Sequence, residues 1–112
     1  MIRHSVFATN IFVEDDFIDK SISSDMKQYI EQMWTTRAYD NNWQTEPDLH
    51  TKPAFEKFAE KVIQKSKEQI ELLDYDVEDI KITDMWGNVL RNKESHPPHT
   101  HSNNFLSGVY YL

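Results

Sequence analysis

The chain has 112 residues, a formal net charge of −7 and no cysteine. This length makes one small domain with a single core. Three Trp, five Tyr and six Phe against two Gly argue against disorder. The acidic balance disfavours nucleic acid as a partner, because the chain has no basic stripe to displace counterions from phosphate. Without thiols there is no disulfide framework and no thiolate metal site.

No apolar run approaches the roughly 18 residues of a membrane span. The first five residues lack the apolar core of a signal peptide. No repeat or low-complexity linker divides the chain. We therefore expect a cytoplasmic protein with one domain over residues 1–112 and no membrane partner.

The first half of the chain predicts a strand and a helix. Residues 5–13 are typical of a short buried strand that ends at an acidic turn. Residues 21–34 place their apolar side chains on one stripe and predict a helix, with Ser23 or Ser24 as the N-cap. Residues 37–50 are rich in turn formers and are predicted to be irregular.

Residues 53–73 predict the clearest helix. Pro53 suits its first turn, where a missing N–H costs nothing. Apolar residues recur at helical spacing, so one face should pack on a sheet. The opposite face is expected to carry Lys57, Glu60, Lys61, Lys67 and Glu71.

Two strands are predicted in the last third of the chain, over residues 80–90 and 105–112. With the helices they give an α+β fold in which two helices pack on a sheet. The final strand is aromatic and apolar, and no turn or cap follows it. We therefore expect it to pair with something outside these residues, either a continuation of the fold or a second copy in a homodimer.

His99 and His101 are the candidate metal ligands. Residues two apart on an extended backbone point to the same side, so both imidazoles can bind one ion, with iron, manganese or zinc as suitable metals. A His-x-His pair is also common in polar, exposed loops. Here the rigid Pro97-Pro98 pair before it and the apolar strand after it favour a fixed loop. The prolines direct His96 elsewhere.

Several short motifs carry a family resemblance. They are Trp86-Gly87-Asn88, Pro98-His99-Thr100-His101 and the stretch Leu106-Ser107-Gly108-Val109-Tyr110-Tyr111-Leu112. Together they resemble a group of 2-oxoglutarate/Fe(II) oxygenases common in bacteria and phages, and more distantly the prolyl 4-hydroxylases. Trp43-Gln44-Thr45 and Asp48-Leu49-His50 are similar to the N-terminal region of the same group.

The resemblance implies a fold, a reaction and cofactors. In these families a His-x-Asp/Glu pair and a distant third histidine form a facial triad on a double-stranded β-helix, or jelly roll. The open positions on Fe(II) take 2-oxoglutarate and O₂. His99 then occupies the first ligand position and His101 the place of the carboxylate, which makes that ligand neutral. The implied reaction is hydroxylation of a C–H bond coupled to decarboxylation of 2-oxoglutarate.

The resemblance also implies a co-substrate pocket. The last strand is similar to the prolyl hydroxylase strand whose alternate residues line the 2-oxoglutarate site. Alternation then assigns Ser107, Val109 and Tyr111 to the lining, with the Tyr111 hydroxyl bonded to the co-substrate. Tyr111 is equally typical of a core tyrosine at an interface. Asn88 is expected to reach the pocket, whereas Trp86 on the same face is more typical of packing.

The family's remaining functional residues have no counterpart in this sequence. None of the eleven residues after His101 is a histidine, arginine or lysine. The third iron ligand and the basic residue that pairs with 2-oxoglutarate come later in the family. The resemblance therefore implies that residues 1–112 are the N-terminal part of the fold.

Two alternatives to an oxygenase remain at this stage. A cupin also uses His-x-His, but its pattern has a glutamate a few residues later, where this chain has Phe105 and Leu106. A non-catalytic binding or structural module would use the final strand to pair with a partner. The substrate stays open among protein side chains, free amino acids and small metabolites.

Overall fold

The structure is a computed structural model that describes residues 1–4, 8–35 and 41–112. In chain order it contains helix α1 (Lys20–Thr35), strand β1 (Trp43–Gln44), the 3₁₀ turns Leu49–Thr51 and Pro53–Phe55, helix α2 (Glu56–Leu72) and strand β2 (Asn88–Val89). The predicted α+β class is confirmed as two helices and a small sheet. The described residues do not show a double-stranded β-helix. None of the helices among them is long and apolar enough to cross a membrane.

Helix α1 forms where the apolar stripe predicts it. Met26 and Ile30 are buried, because residues four apart lie on the same face of a helix. The predicted serine caps are wrong. The Ser23 N–H already donates to the Asp19 carbonyl at 3.0 Å, so the helix begins before either serine.

Helix α2 begins three residues later than predicted, and Pro53 lies in the 3₁₀ turn that leads directly into it. Phe58, Ala59 and Ile70 are buried on its inner face. On the outer face Lys57, Glu60, Lys67 and Glu71 are exposed, whereas Lys61 is half-buried. The Lys61 ammonium lies 5.3 Å from the centre of the Phe17 ring, and this cation–π contact explains its lower exposure.

The core joins both helices to the segments that carry the strands. Its buried cluster consists of Met26, Ile30, Trp43, Leu49, Phe55 and Phe58. Met85 and Val89, which follow both helices in the sequence, also pack against this cluster. The helices thus cover one face of the sheet, in agreement with the prediction.

The sheet is short but is continued by further backbone pairing. Strands β1 and β2 are antiparallel, with Trp43 opposite Val89 and Gln44 opposite Asn88. The Thr45 N–H donates to the Gly87 carbonyl at 2.9 Å, and the Leu49 N–H donates to the Met85 carbonyl at 3.0 Å. Part of the stretch predicted to be irregular therefore holds residues 85–89 in place.

The prediction of longer strands is wrong for the described residues. Residues 8–13 and 105–112 form no strand, and within 80–90 only Met85, Asn88 and Val89 take part in strand or bridge pairing. A β-ladder needs a neighbouring backbone to exchange hydrogen bonds, and β1 is only two residues long. Residues 5–7 of the first predicted strand lie outside the described residues.

Three rings from distant parts of the chain form an aromatic cluster: Phe17, Phe58 and Tyr110. The Phe17 and Phe58 centroids are 5.6 Å apart, and those of Phe58 and Tyr110 are 5.2 Å apart. The Tyr110 hydroxyl lies 3.4 Å from Ser23 Oγ. This cluster ties the C-terminal segment to α1 and α2.

Glu94 links the turn before β1 to the turn after β2. Its carboxylate accepts bonds from the Arg91 N–H at 2.8 Å, from the Asn42 N–H at 3.3 Å and from Arg91 Nε at 3.1 Å. The backbone bond from Arg91 is the main reason that the pKa of Glu94 lies below its ordinary value of 4.5. Glu94 therefore stabilises the folded chain in its charged form.

We expect the contribution of Glu94 to stability to depend on pH. A carboxyl whose pKa is lowered by folding stabilises the protein above the unfolded pKa, and this stabilisation is lost as the pH falls through the folded value. Urea unfolding of the natural chain and of Glu94→Gln should therefore differ most above pH 4.5 and converge below it. A difference in unfolding free energy that stays constant from pH 7 to pH 3 would contradict this.

Candidate functional site

Residues 85–89 alternate between the core and the opposite side. Met85 and Val89 pack on the core, and a Cβ added to Gly87 would lie 2.6 Å from Ile30 Cδ1. Because side chains alternate along an extended backbone, Trp86 and Asn88 lie on the face turned away from the helices. Asn88 is exposed and pairs with Gln44 across the sheet.

The two candidate metal ligands lie next to each other. The ring centroids of His99 and His101 are 4.9 Å apart, with 71° between the ring planes. His101 also contacts the Trp86 ring, at 5.6 Å between centroids. His99 and His96 are exposed, whereas His101 is half-buried. The two imidazoles thus lie side by side, and their role as metal ligands stays a prediction.

A backbone carbonyl determines which ring nitrogen of the neutral His99 carries the proton. Its Nδ1 lies 3.0 Å from the Pro97 carbonyl oxygen. A carbonyl only accepts hydrogen bonds, so Nδ1 must carry the proton and donate. In the neutral ring this leaves the lone pair on Nε2, which is the nitrogen then available to a metal.

The predicted co-substrate residues of the last segment share an open groove. Ser107, Val109 and Tyr111 border it from one side, and residues 10–18 border it from the other. All three are exposed, with Tyr111 at 88%. Leu106, Gly108 and Tyr110 border the groove as well, and the partly buried Tyr110 also packs against the core.

The groove and the histidine pair are separate features of the structure. His99, His101 and Asn88 do not line the groove. Over residues 1–4, 8–35 and 41–112, no three His, Asp or Glu side chains are grouped so that they could hold a metal ion. The described part of the chain therefore brings together two imidazoles without a third such side chain.

Sequence reasoning missed two neighbours of the histidines, the Pro97 carbonyl and the Trp86 ring. The carbonyl is a main-chain atom, and residue types give no signal for it. The Trp86 contact depends on how residues 83–86 and 101–104 lie side by side. The signal for it was partial: Trp86 was predicted on the same face as Asn88, but as a packing residue.

Comparison with known protein families finds a match for the C-terminal part of the chain. Residues 84–112 match the model of a family described as "Putative 2OG-Fe(II) oxygenase". This segment contains the histidine pair, Trp86 and every residue predicted to bind 2-oxoglutarate. No curated protein and no solved structure matches the chain. The match supports a relation to these oxygenases for this segment.

Proposed function

We propose that the chain provides part of the catalytic domain of an Fe(II)- and 2-oxoglutarate-dependent oxygenase, with His99 and His101 as two of the metal ligands. The observation that carries this proposal is the contact between the two imidazoles, 4.9 Å between centroids. It lies inside the segment that matches the oxygenase family model.

The two imidazole donors are suited to iron. Imidazole nitrogen is a good ligand for Fe(II), and the bond from His99 Nδ1 to Pro97 leaves Nε2 free in the neutral ring. When bound, iron with 2-oxoglutarate and O₂ supplies the oxidation of a C–H bond, coupled to decarboxylation of the co-substrate. With His101 in place of a carboxylate, the site keeps one more unit of positive charge than a His/carboxylate pair, which favours an anionic co-substrate.

The proposed 2-oxoglutarate site comprises Asn88, Ser107, Val109 and Tyr111. Three of these border one groove, which the histidine pair does not line, and the hydroxyls of Ser107 and Tyr111 can donate hydrogen bonds to carboxylate oxygens. Their exposure leaves them accessible to a ligand. The assignment to 2-oxoglutarate rests on the family resemblance of this segment.

Cobalt(II) titration of the full chain tests the metal site. Co(II) bound by His101 would lie next to the Trp86 indole, so we expect Trp86 fluorescence to be quenched and then restored by a chelator. His99→Ala and His101→Ala each remove one of two donors. Each should weaken Co(II) binding by more than the roughly 10–100-fold typical of losing an outer-shell partner.

His96→Ala is the matched control, since it removes an exposed imidazole from the same loop. It should leave Co(II) binding unchanged. Equal weakening by all three substitutions would indicate a non-specific histidine-rich loop. Equal binding by the natural chain and His99→Ala would remove His99 from the site.

A non-catalytic binding module is the second candidate, and one observation favours it. Val109 and Tyr111 are 80% and 88% exposed, beside backbone that forms no strand in the described residues. Such a segment can add a strand to a partner or to a second copy of the chain. If the chain is such a module, we expect Co(II) to leave the tryptophan fluorescence unquenched and a chelator to leave the melting temperature unchanged.

A further inference from the structure

The Trp86 indole lies against the His101 imidazole, where residues 83–86 and 101–104 lie side by side. The two ring centroids are 5.6 Å apart and the planes are tilted by 32°. Three residues back on the first segment and three residues forward on the second, Thr83 Oγ1 donates to Asn104 Oδ1 at 2.6 Å. Both contacts fit one antiparallel register, in which opposed residues are direct neighbours.

The core does not account for the position of Trp86. Its sequence neighbour Met85 packs on the buried cluster, as does Val89, and Trp86 lies on the opposite face. The indole is nevertheless half-buried. Its ring contact is with an imidazole that the proposed function assigns to a metal.

We propose that Trp86 is a positioning residue that holds the His101 imidazole in the orientation needed for metal binding. The inference rests on the proposed function of the histidine pair. A free imidazole samples several rotamers, and binding a metal must first restrict it. The flat indole face restricts the ring beforehand, which is how outer-shell groups raise metal affinity.

Each imidazole of the pair then has its own restraint. The Pro97 carbonyl holds His99 through Nδ1, and the Trp86 indole holds His101 through its ring face. A hydrogen bond fixes both the tautomer and the ring direction, whereas a stacking contact limits rotation without selecting a nitrogen. His101 is therefore the ligand that depends on an aromatic neighbour.

Two measurements on the full chain test this role, with Co(II) as the probe. By titration calorimetry, Trp86→Leu should bind Co(II) about tenfold more weakly than the natural chain, and Trp86→Phe should recover most of that loss. By NMR without metal, the His101 ring protons should show an upfield ring-current shift that Trp86→Leu removes. Trp34→Leu is the matched control, because Trp34 packs against the core instead, and it should leave both readouts unchanged.

The outcomes separate this inference from the proposed function. If the natural chain binds Co(II) and Trp86→Leu binds it equally well, Trp86 is not a positioning residue, although the metal site stands. If Trp34→Leu weakens binding as much as Trp86→Leu, the effect is one of general stability and the inference fails. If the natural chain binds no Co(II), the two-histidine site is wrong and this inference falls with it.

Discussion

Replacing Tyr110 by alanine is expected to lower the free energy of unfolding by about 2–3 kcal/mol, somewhat less than the 3–5 kcal/mol typical of a fully buried aromatic. The ring lies 5.2 Å from Phe58 and 6.1 Å from Phe17, so its removal opens the aromatic cluster. It also frees the C-terminal segment from the helices. Urea unfolding followed by circular dichroism measures the loss.

Tyr111→Ala is the matched control for this substitution. It makes the same chemical change one residue later, at a side chain that is 88% exposed. Its effect should stay within about 0.5 kcal/mol. Tyr110→Phe keeps the ring and gives up only the 3.4 Å contact to Ser23 Oγ, so it should resemble the natural chain. Equal losses for Tyr110→Ala and Tyr111→Ala would contradict the orientation of this segment.

Gly87→Ala is expected to destabilise the chain by about 1–3 kcal/mol through overpacking. The new methyl group would lie 2.6 Å from Ile30 Cδ1 and 3.1 Å from Ile30 Cγ1. Ile30 is itself only 7% exposed, so it has little room to move away. Gly108→Ala is the control, because a Cβ at that glycine meets nothing within 4 Å, and we expect no loss of stability there.

Ile30→Val should partly rescue Gly87→Ala, because valine lacks the Cδ1 atom that clashes. Alone, Ile30→Val costs about 0.5–1.5 kcal/mol. The double variant should lose less unfolding free energy than the sum of the two single losses, with a coupling of about 1 kcal/mol in a double-mutant cycle. Strict additivity would show that the backbone moves instead of the Ile30 side chain.

The helices could be predicted from the sequence because their signals are local. In α2 the apolar spacing and Pro53 agree with each other: the predicted segment begins as the 3₁₀ turn Pro53–Phe55 and continues as the helix to Leu72, one residue before the predicted end. The α+β class followed from the same patterns. The start of α1 was less well defined, because several polar residues before Met26 are acceptable near a helix N-terminus.

The strands could not be predicted in full, because strand formation depends on a partner backbone. Residues 105–112 have the composition of a strand, yet they form no β-ladder with any other described residue. What alternation did capture is which side chains face together. It placed Tyr110 opposite to Tyr111, and it placed His99 beside His101.

The environment of the histidines lay beyond sequence patterns for another reason. The bond to the Pro97 carbonyl depends on the local path of the main chain, and the contact with Trp86 depends on two distant segments lying side by side. Neither is encoded by the identity of a single residue. The choice of His99 and His101 as metal ligands stays a prediction.

The aromatic cluster also has a consequence for how fast the chain folds and unfolds. Tyr110 and Ser23, which meet beside it, are 87 positions apart in sequence, whereas the helices need only local contacts. Contacts between distant positions carry a loop-closure cost, so we expect the cluster to close late, after the rate-limiting barrier. In that case Tyr110→Ala should accelerate unfolding and leave the refolding rate nearly unchanged.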